Sequence, residues 1–277
     1  MTNTLPTDSD VELGDYIDGI AAFLGGTANV IMQLALPPVG YGVVESPVES
    51  GKVTRHPVKR LRTTLTFLAV ALQGTPAERA AYAAAVDAVH RQVHSRPASP
   101  VRYSAMDPQL QLWVAACLYW GVDDIYRRMR GAPDPAVADA LYRAAERFGT
   151  TLQVRPGMWP PDRAAFAQYW TDNLARTSID PVVRAYLTEL LELRALPFPI
   201  RVWAAPLQRF TATGLLPQHF RDQMQLRWSA REDRVFTALL RGIGAVNSRL
   251  PGPIRRFPIN FYLWDLRRRV AKGRPLV

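Results

Sequence analysis

Residues 60–94 read RLRTTLTFLAVALQGTPAERAAYAAAVDAVHRQVH, and two helix patterns meet within them at Gly74-Thr75-Pro76. Thr75-Pro76-Ala77-Glu78 forms a capping box with proline at the first helical position. The threonine hydroxyl can accept an orphan amide at the N-terminus, Glu78 can reach back, and proline has no amide to lose there. The pattern predicts one helix up to the glycine and a second from Pro76 to about His94. Arg60 and Thr64 stand one turn apart on the first. His90 and His94, two of the four histidines in the chain, stand one turn apart on the second. Val86, Val89, His90 and Val93 follow the i, i+3, i+4, i+7 rhythm of a buried face, with Asp87 and His94 at its edge. That rhythm, taken alone, favours a satisfied core histidine over a ligand.

The same punctuation recurs outward from this stretch. Pro57 opens the first helix. Asp107-Pro108 starts a helix to about Gly131, Asp134-Pro135 one to about Phe148, and Asp180-Pro181 one to about Leu196. Ser229 with Glu232 makes a second capping box, for a helix to about Arg249. Shorter helices are expected over Pro161–Arg176 and Pro199–Thr213, and a last one over Ile259–Ala271. Toward the N-terminus, residues 1–10 read as disordered. A helix from Val11 is expected to stop at Gly25-Gly26, and a short buried one to run from Ala28 to Leu36. The segment Pro37–Pro57 reads as a structured loop. No set of period-2 strands with hairpin turns is present. The expected fold is all-α: one multi-helix domain over residues 11–277, with residues 150–277 completing a motif-bearing core at 25–131.

Composition narrows the function classes. At 277 residues, 48% hydrophobic and 21% charged, the chain can bury a large core. The single cysteine, Cys117, excludes an internal disulfide and a cysteine-rich zinc site. No basic n-region followed by an apolar h-region opens the chain, so a cytoplasmic location is expected. The uncharged run Gly19–Val44 is interrupted by Gly25-Gly26-Thr27, Asn29, Gln33 and Pro37-Pro38, which argues against a membrane span. Net charge is +10, yet residues 241–277 carry nine Lys and Arg against Asp265 alone, leaving the remainder almost neutral. With no base-reading motif, a nucleic-acid partner is not expected. Phe261, Leu263, Trp264 and Leu266 mix with Arg267–Arg269 near the C-terminus. Two readings stay open there: a solvated arginine face docked on the core, and a helix making peripheral membrane contact.

Several chemistries lack their motifs. There is no GxSxG, no Walker loop and no GxGxxG after a strand. His90 and His94 have zincin spacing, but Arg91 stands where the glutamate would be. Asp87-x-x-His90 is half of a carboxylate-bridged di-iron pattern, and neither His56 nor His219 supplies the other half. A haem asks for one axial imidazole, apolar walls and cations for its propionates, all of which this region can supply.

The runs QLALPPVGYGVVES, RLRTTLTFLAVALQGT, AVHRQV and YSAMDPQLQLWVAACL, in this order, resemble the MpaB and rubber-oxygenase (latex-clearing protein) family. The resemblance spans about Gly25 to Gly131 and continues more loosely through TTLQVRPGMWP and LPGPIRRFP. It implies a helical domain holding b-type haem, with iron on a helical histidine that falls on His90. His94, one turn on, is the second choice. The family's Arg-x-x-x-Thr falls on Arg60 and Thr64, expected beside the haem as pocket and catalytic groups. Asp107 and Trp113 match its Asp-Pro…Trp-Val segment. Leu36, Glu45 and Ala115 stand where relatives commonly carry histidine, which leaves Glu45 as a base or polar pocket group. Characterised relatives use O2 to cleave carbon–carbon double bonds of isoprenoid chains to carbonyl products. The expected function is accordingly a haem-dependent oxygenase acting on an apolar, unsaturated substrate. The alternatives are a non-catalytic haem-binding or membrane-surface protein, or other haem oxidase or peroxidase chemistry in the same pocket.

Overall fold

The computed structural model describes residues 18–49 and 55–277, and among these it is all-α with no strand. The expectations of disorder over residues 1–10 and of a helix beginning at Val11 lie outside the described residues. The helices are α1 (Gly19–Leu34), α2 (Pro37–Val44), α3 (Pro57–Gln73), α4 (Pro76–His90) and α5 (Pro108–Arg130). There follow α6 (Pro135–Ala145), α7 (Arg147–Thr150), α8 (Arg163–Leu174), α9 (Pro181–Leu191) and α10 (Phe198–Leu215). The chain closes with α11 (Gln218–Gln223), α12 (Ala230–Asn247), α13 (Gly252–Arg255) and α14 (Ile259–Ala271).

Helix starts follow the capping chemistry. Both capping boxes are formed, at Thr75 and at Ser229. The Asp107, Asp134 and Asp180 carboxylates each accept a first-turn amide, with proline at N1.

Two N-terminal expectations are corrected. Gly25-Gly26 does not stop α1. A Cβ on Gly25 would fall 2.6 Å from the Ile125 side chain, so the glycine serves close approach to α5 rather than termination. The break comes instead at Ala35-Leu36, where Leu36 is extended and Pro37-Pro38 opens α2. Pro37–Val44 is therefore helical rather than loop.

α5 is the central helix. α1 lies along it, with α12 packed on the same helix and α10 on α1. The polar residues of the uncharged run are spent internally. Asn29 Nδ2 donates to the Cys117 carbonyl at 2.7 Å, Gln33 Nε2 donates to Asn29 Oδ1 at 2.6 Å, and Trp113 Nε1 donates to the Gln33 carbonyl at 3.1 Å. Hydrogen-bonded polar groups at these depths fit a helix buried in protein. Among the described residues no single helix is long and apolar enough to cross a membrane. α1 and α2 pass that test only as a pair bent by 109°. Trp113, fully buried, stacks on Trp170 at 5.2 Å, and Tyr119, Tyr142, Trp159 and Phe166 continue the aromatic core beyond it.

Candidate functional site

α4 rests lightly on the molecule. Tyr82 is its one fully buried residue, and the phenol donates to the Thr63 carbonyl at 2.8 Å, pinning α4 to α3. Val86 and Val93 pack half-buried against the core, so the valine stripe is a wall rather than an interior. His90 sits half-buried at the end of that wall as the last residue of α4.

The ring of His90 is held from one side. Its Nδ1 lies 3.1 Å from Gln153 Oε1, while Gln153 Nε2 donates to Asp87 Oδ1 at 2.5 Å. An ionised carboxylate accepts and cannot donate, so the amide nitrogen of Gln153 faces Asp87 and its oxygen faces the imidazole. Nδ1 must then carry the proton. Burial pulls the His90 pKa below its usual value against the opposing hydrogen bond to Gln153; the Arg60 charge adds to the lowering and Asp87 subtracts from it. A neutral ring protonated on Nδ1 keeps its lone pair on Nε2, which makes no hydrogen bond among the described residues. That is the state in which an imidazole binds a metal.

Arg60, on α3, brings positive charge to the same place. Its guanidinium makes no ion pair among the described residues, and its field reaches His90, Tyr82 and Tyr186 of α9. Burial pushes both tyrosine phenols up, and Arg60 works against it. Thr64 is exposed, and its hydroxyl donates to the Arg60 carbonyl at 2.9 Å, beside Thr63 at 3.0 Å. Its proton is thus spent within the helix, and the oxygen offers only an acceptor outward.

Other sequence-predicted residues lie elsewhere. His94 is not one helical turn from His90: the helix ends, and the chain turns so that His94 bridges Ser104 in an antiparallel pair, exposed to solvent. Val93 donates its amide to the His90 carbonyl and accepts the Ala105 amide, a pairing that replaces the helix ladder. Glu45 closes the C-terminus of α2, where Ser99 Oγ and the Tyr103 phenol donate to its Oε2 at 2.5 and 2.8 Å. These bonds tie it to the loop after α4, and among the described residues it bonds to neither His90 nor Arg60. Asp107 caps α5 and Trp113 fills the core.

The residue the sequence left unnoticed is Gln153. Gln153 stands in the turn after α7, where Leu152 and Val154 amides both reach back to the Gly149 carbonyl. Its 63-residue separation from His90 hides the contact from any local pattern, although it lies inside the quoted run TTLQVRPGMWP. Among the described residues no three or more His, Cys, Asp or Glu gather as a metal cage. A zinc or di-iron site built from protein ligands has no candidate among them.

Residues 15–245 match the family described as "ER-bound oxygenase mpaB/B'/Rubber oxygenase, catalytic domain". The chain is 50% identical over 250 residues to the uncharacterized protein Rv2237 of Mycobacterium tuberculosis and to the uncharacterized protein Mb2261 of Mycobacterium bovis. Each match covers 90% of this chain and 98% of the relative. No solved structure matches.

Proposed function

Because the chain belongs to this mpaB and rubber-oxygenase catalytic-domain family, we propose that it is a b-type haem-dependent oxygenase acting with O2 on an apolar, unsaturated, isoprenoid-like substrate. The observation that carries the reading is the His90 imidazole, kept neutral by burial and oriented by Gln153, itself anchored on Asp87, so that the lone pair stays on Nε2.

The donor set fits a haem better than a bare ion. It offers one prepared imidazole, no cluster of further protein ligands among the described residues, and a nearby guanidinium without a carboxylate partner. When bound, haem supplies the iron that binds and activates O2.

The chain's own residues do the rest. His90 Nε2 would hold the iron. Gln153, anchored on Asp87, keeps the Nδ1 proton in place, fixes the ring plane and raises the basicity of Nε2. Arg60 would pair with a propionate carboxylate, since a planar fork of donors suits two oxygens. Val86 of α4 and Val93 just beyond its end, both half-buried, would give the macrocycle an apolar wall. Thr64, exposed and with its proton committed to its own helix, could accept a hydrogen bond from a bound group but not donate one. We assign no chemical step to Glu45, whose Oε2 is occupied by Ser99 and Tyr103.

A visible spectrum of the purified protein tests the reading. A Soret band is expected, lost or shifted in His90→Ala and unchanged in His94→Ala. A colourless protein that haemin cannot reconstitute refutes it. Oxygen uptake with isoprenoid substrates then separates an enzyme from a haem carrier.

A further inference from the structure

α14 carries two apolar lines, and the protein covers one of them. Ile259, Leu263 and Leu266 are buried, and α14 packs along α3. Phe261, Trp264 and Arg268 follow a second helical line, at i, i+3 and i+7, that faces away, and Phe257 adjoins it from the turn before the helix. Phe257 is 56% exposed, Phe261 44% and Trp264 52%. The line is continuous: Phe257 and Phe261 ring centroids are 6.2 Å apart, Phe261 and Trp264 5.7 Å, and the Arg268 guanidinium stands 5.5 Å from the Trp264 ring. The sequence alone placed Leu263 and Leu266 with Phe261 and Trp264 in one mixture; the structure separates them into an inner and an outer face.

The cations sort in the same way. Arg267 is paired with Glu78 and Arg269 with Asp265. Arg268, Lys272 and Arg274 have no carboxylate partner among the described residues. They extend from the aromatic line toward the C-terminus, in a segment of nine cations against one acid. A solvated arginine face requires no outward aromatic rings. A nucleic acid or an acidic protein would satisfy the charges but not three exposed rings in a row. A second copy docked on the same face would set like charges against one another. An anionic bilayer satisfies both halves, because rings settle at the headgroup boundary while cationic heads reach the phosphates.

We propose that the Phe257–Phe261–Trp264–Arg268 face docks the protein peripherally on an anionic membrane surface, with Arg268, Lys272 and Arg274 among the lipid phosphates. The inference rests on this face and not on the haem reading.

Co-sedimentation of the full chain with vesicles tests it, comparing phosphatidylcholine alone with phosphatidylcholine containing one-third phosphatidylserine. Binding is expected to the anionic vesicles, weakened by salt. Arg268→Glu with Lys272→Glu should lower the partition coefficient about fivefold or more per cation removed. Trp264 emission should shift to the blue on addition of anionic vesicles, and Phe261→Gln with Trp264→Gln should lower the bound fraction severalfold. The buried Ile259, Leu263 and Leu266 are untouched by either pair, and an unchanged circular dichroism melt confirms that each variant folds. Equal binding to neutral and anionic vesicles, absence of binding, or full binding by either variant overturns the proposal. So does a short RNA duplex that competes the protein off anionic vesicles at equal phosphate, or self-association through this face in their absence.

Discussion

Replacing Gln153 with leucine removes both bonds that prepare His90 while keeping a side chain of similar size. The Nδ1–H···Oε1 bond, at 3.1 Å, joins two neutral groups and is worth about 1 kcal/mol net. Its loss shifts the balance between the two imidazole tautomers by about fivefold, since about 1.4 kcal/mol is tenfold. The Gln153–Asp87 bond, at 2.5 Å to a carboxylate, holds the amide in place, and its loss frees the ring to turn. Together the changes place Gln153→Leu in the range of about 10–100-fold weaker metal affinity that follows loss of an outer partner of a ligating histidine. Two assays read this. Haemin titration followed at the Soret band gives the affinity. Nitrogen-15 shifts of the histidine rings in the haem-free protein give the tautomer without any cofactor: His90 is expected protonated on Nδ1 in the parent and mixed in the variant. A parent already protonated on Nε2 refutes the tautomer argument. An unchanged haemin affinity alongside a changed tautomer refutes its link to cofactor binding. Gln153→Glu is a useful companion, because its second oxygen would face the Asp87 carboxylate and repel it.

Other perturbations test the scaffold. A Cβ on Gly244 would fall 2.3 Å from the Met129 carbonyl oxygen, so Gly244→Ala must part α12 from α5 and should cost about 1–3 kcal/mol. Gly242→Ala, on the same helix with nothing within 4 Å, should instead gain up to about 1 kcal/mol; paired thermal melts that move the same way would refute the packing assignment. Asp18, 5% exposed, takes a bidentate pair from Arg130 and a further contact from Arg255, and Asp18→Ala should cost about 1–3 kcal/mol in urea unfolding by removing charge-assisted bonds from two partly exposed arginines. Burial pushes the Asp180 carboxyl up, but hydrogen bonds from Tyr41 and the Val183 and Val182 amides outweigh it and hold the pKa below its usual value. The stability it adds is complete above the ordinary aspartate range and lost as pH falls through the depressed pKa; Asp180→Asn should flatten that acid limb, and an unaltered limb would contradict the sign.

Helix starts were the most legible part of the fold, because a cap is a local transaction between residues three apart. Thr75 with Glu78, Ser229 with Glu232, and the Asp-Pro pairs at 107, 134 and 180 all open helices for that reason. Helix ends depended on remote partners. Gly25-Gly26 reads as a stop by propensity, yet the backbone continues because Ile125 needs the space. His94 reads as helical by spacing, yet Ala105 offers Val93 a better partner across the loop. The proposed site divides along the same line. His90, Arg60 and Thr64 were named from motif order and one-turn spacing. Gln153 was not, since it meets His90 across 63 residues of chain and nothing in its neighbours announces the contact.

The C-terminal helix lies against both helices that carry the candidate ligand and its cation. Leu263 and Leu266 face α3, Arg267 pairs with Glu78 in the first turn of α4, and Arg62 of α3 donates to the Leu276 carbonyl. α3, α4 and α14 are thereby tied to one another at the edge of the core they share with α1, α5 and α12. Their amides should exchange with solvent as a block, at a free energy below that of global unfolding. The last residues of the chain then set how often the residues around His90 come apart.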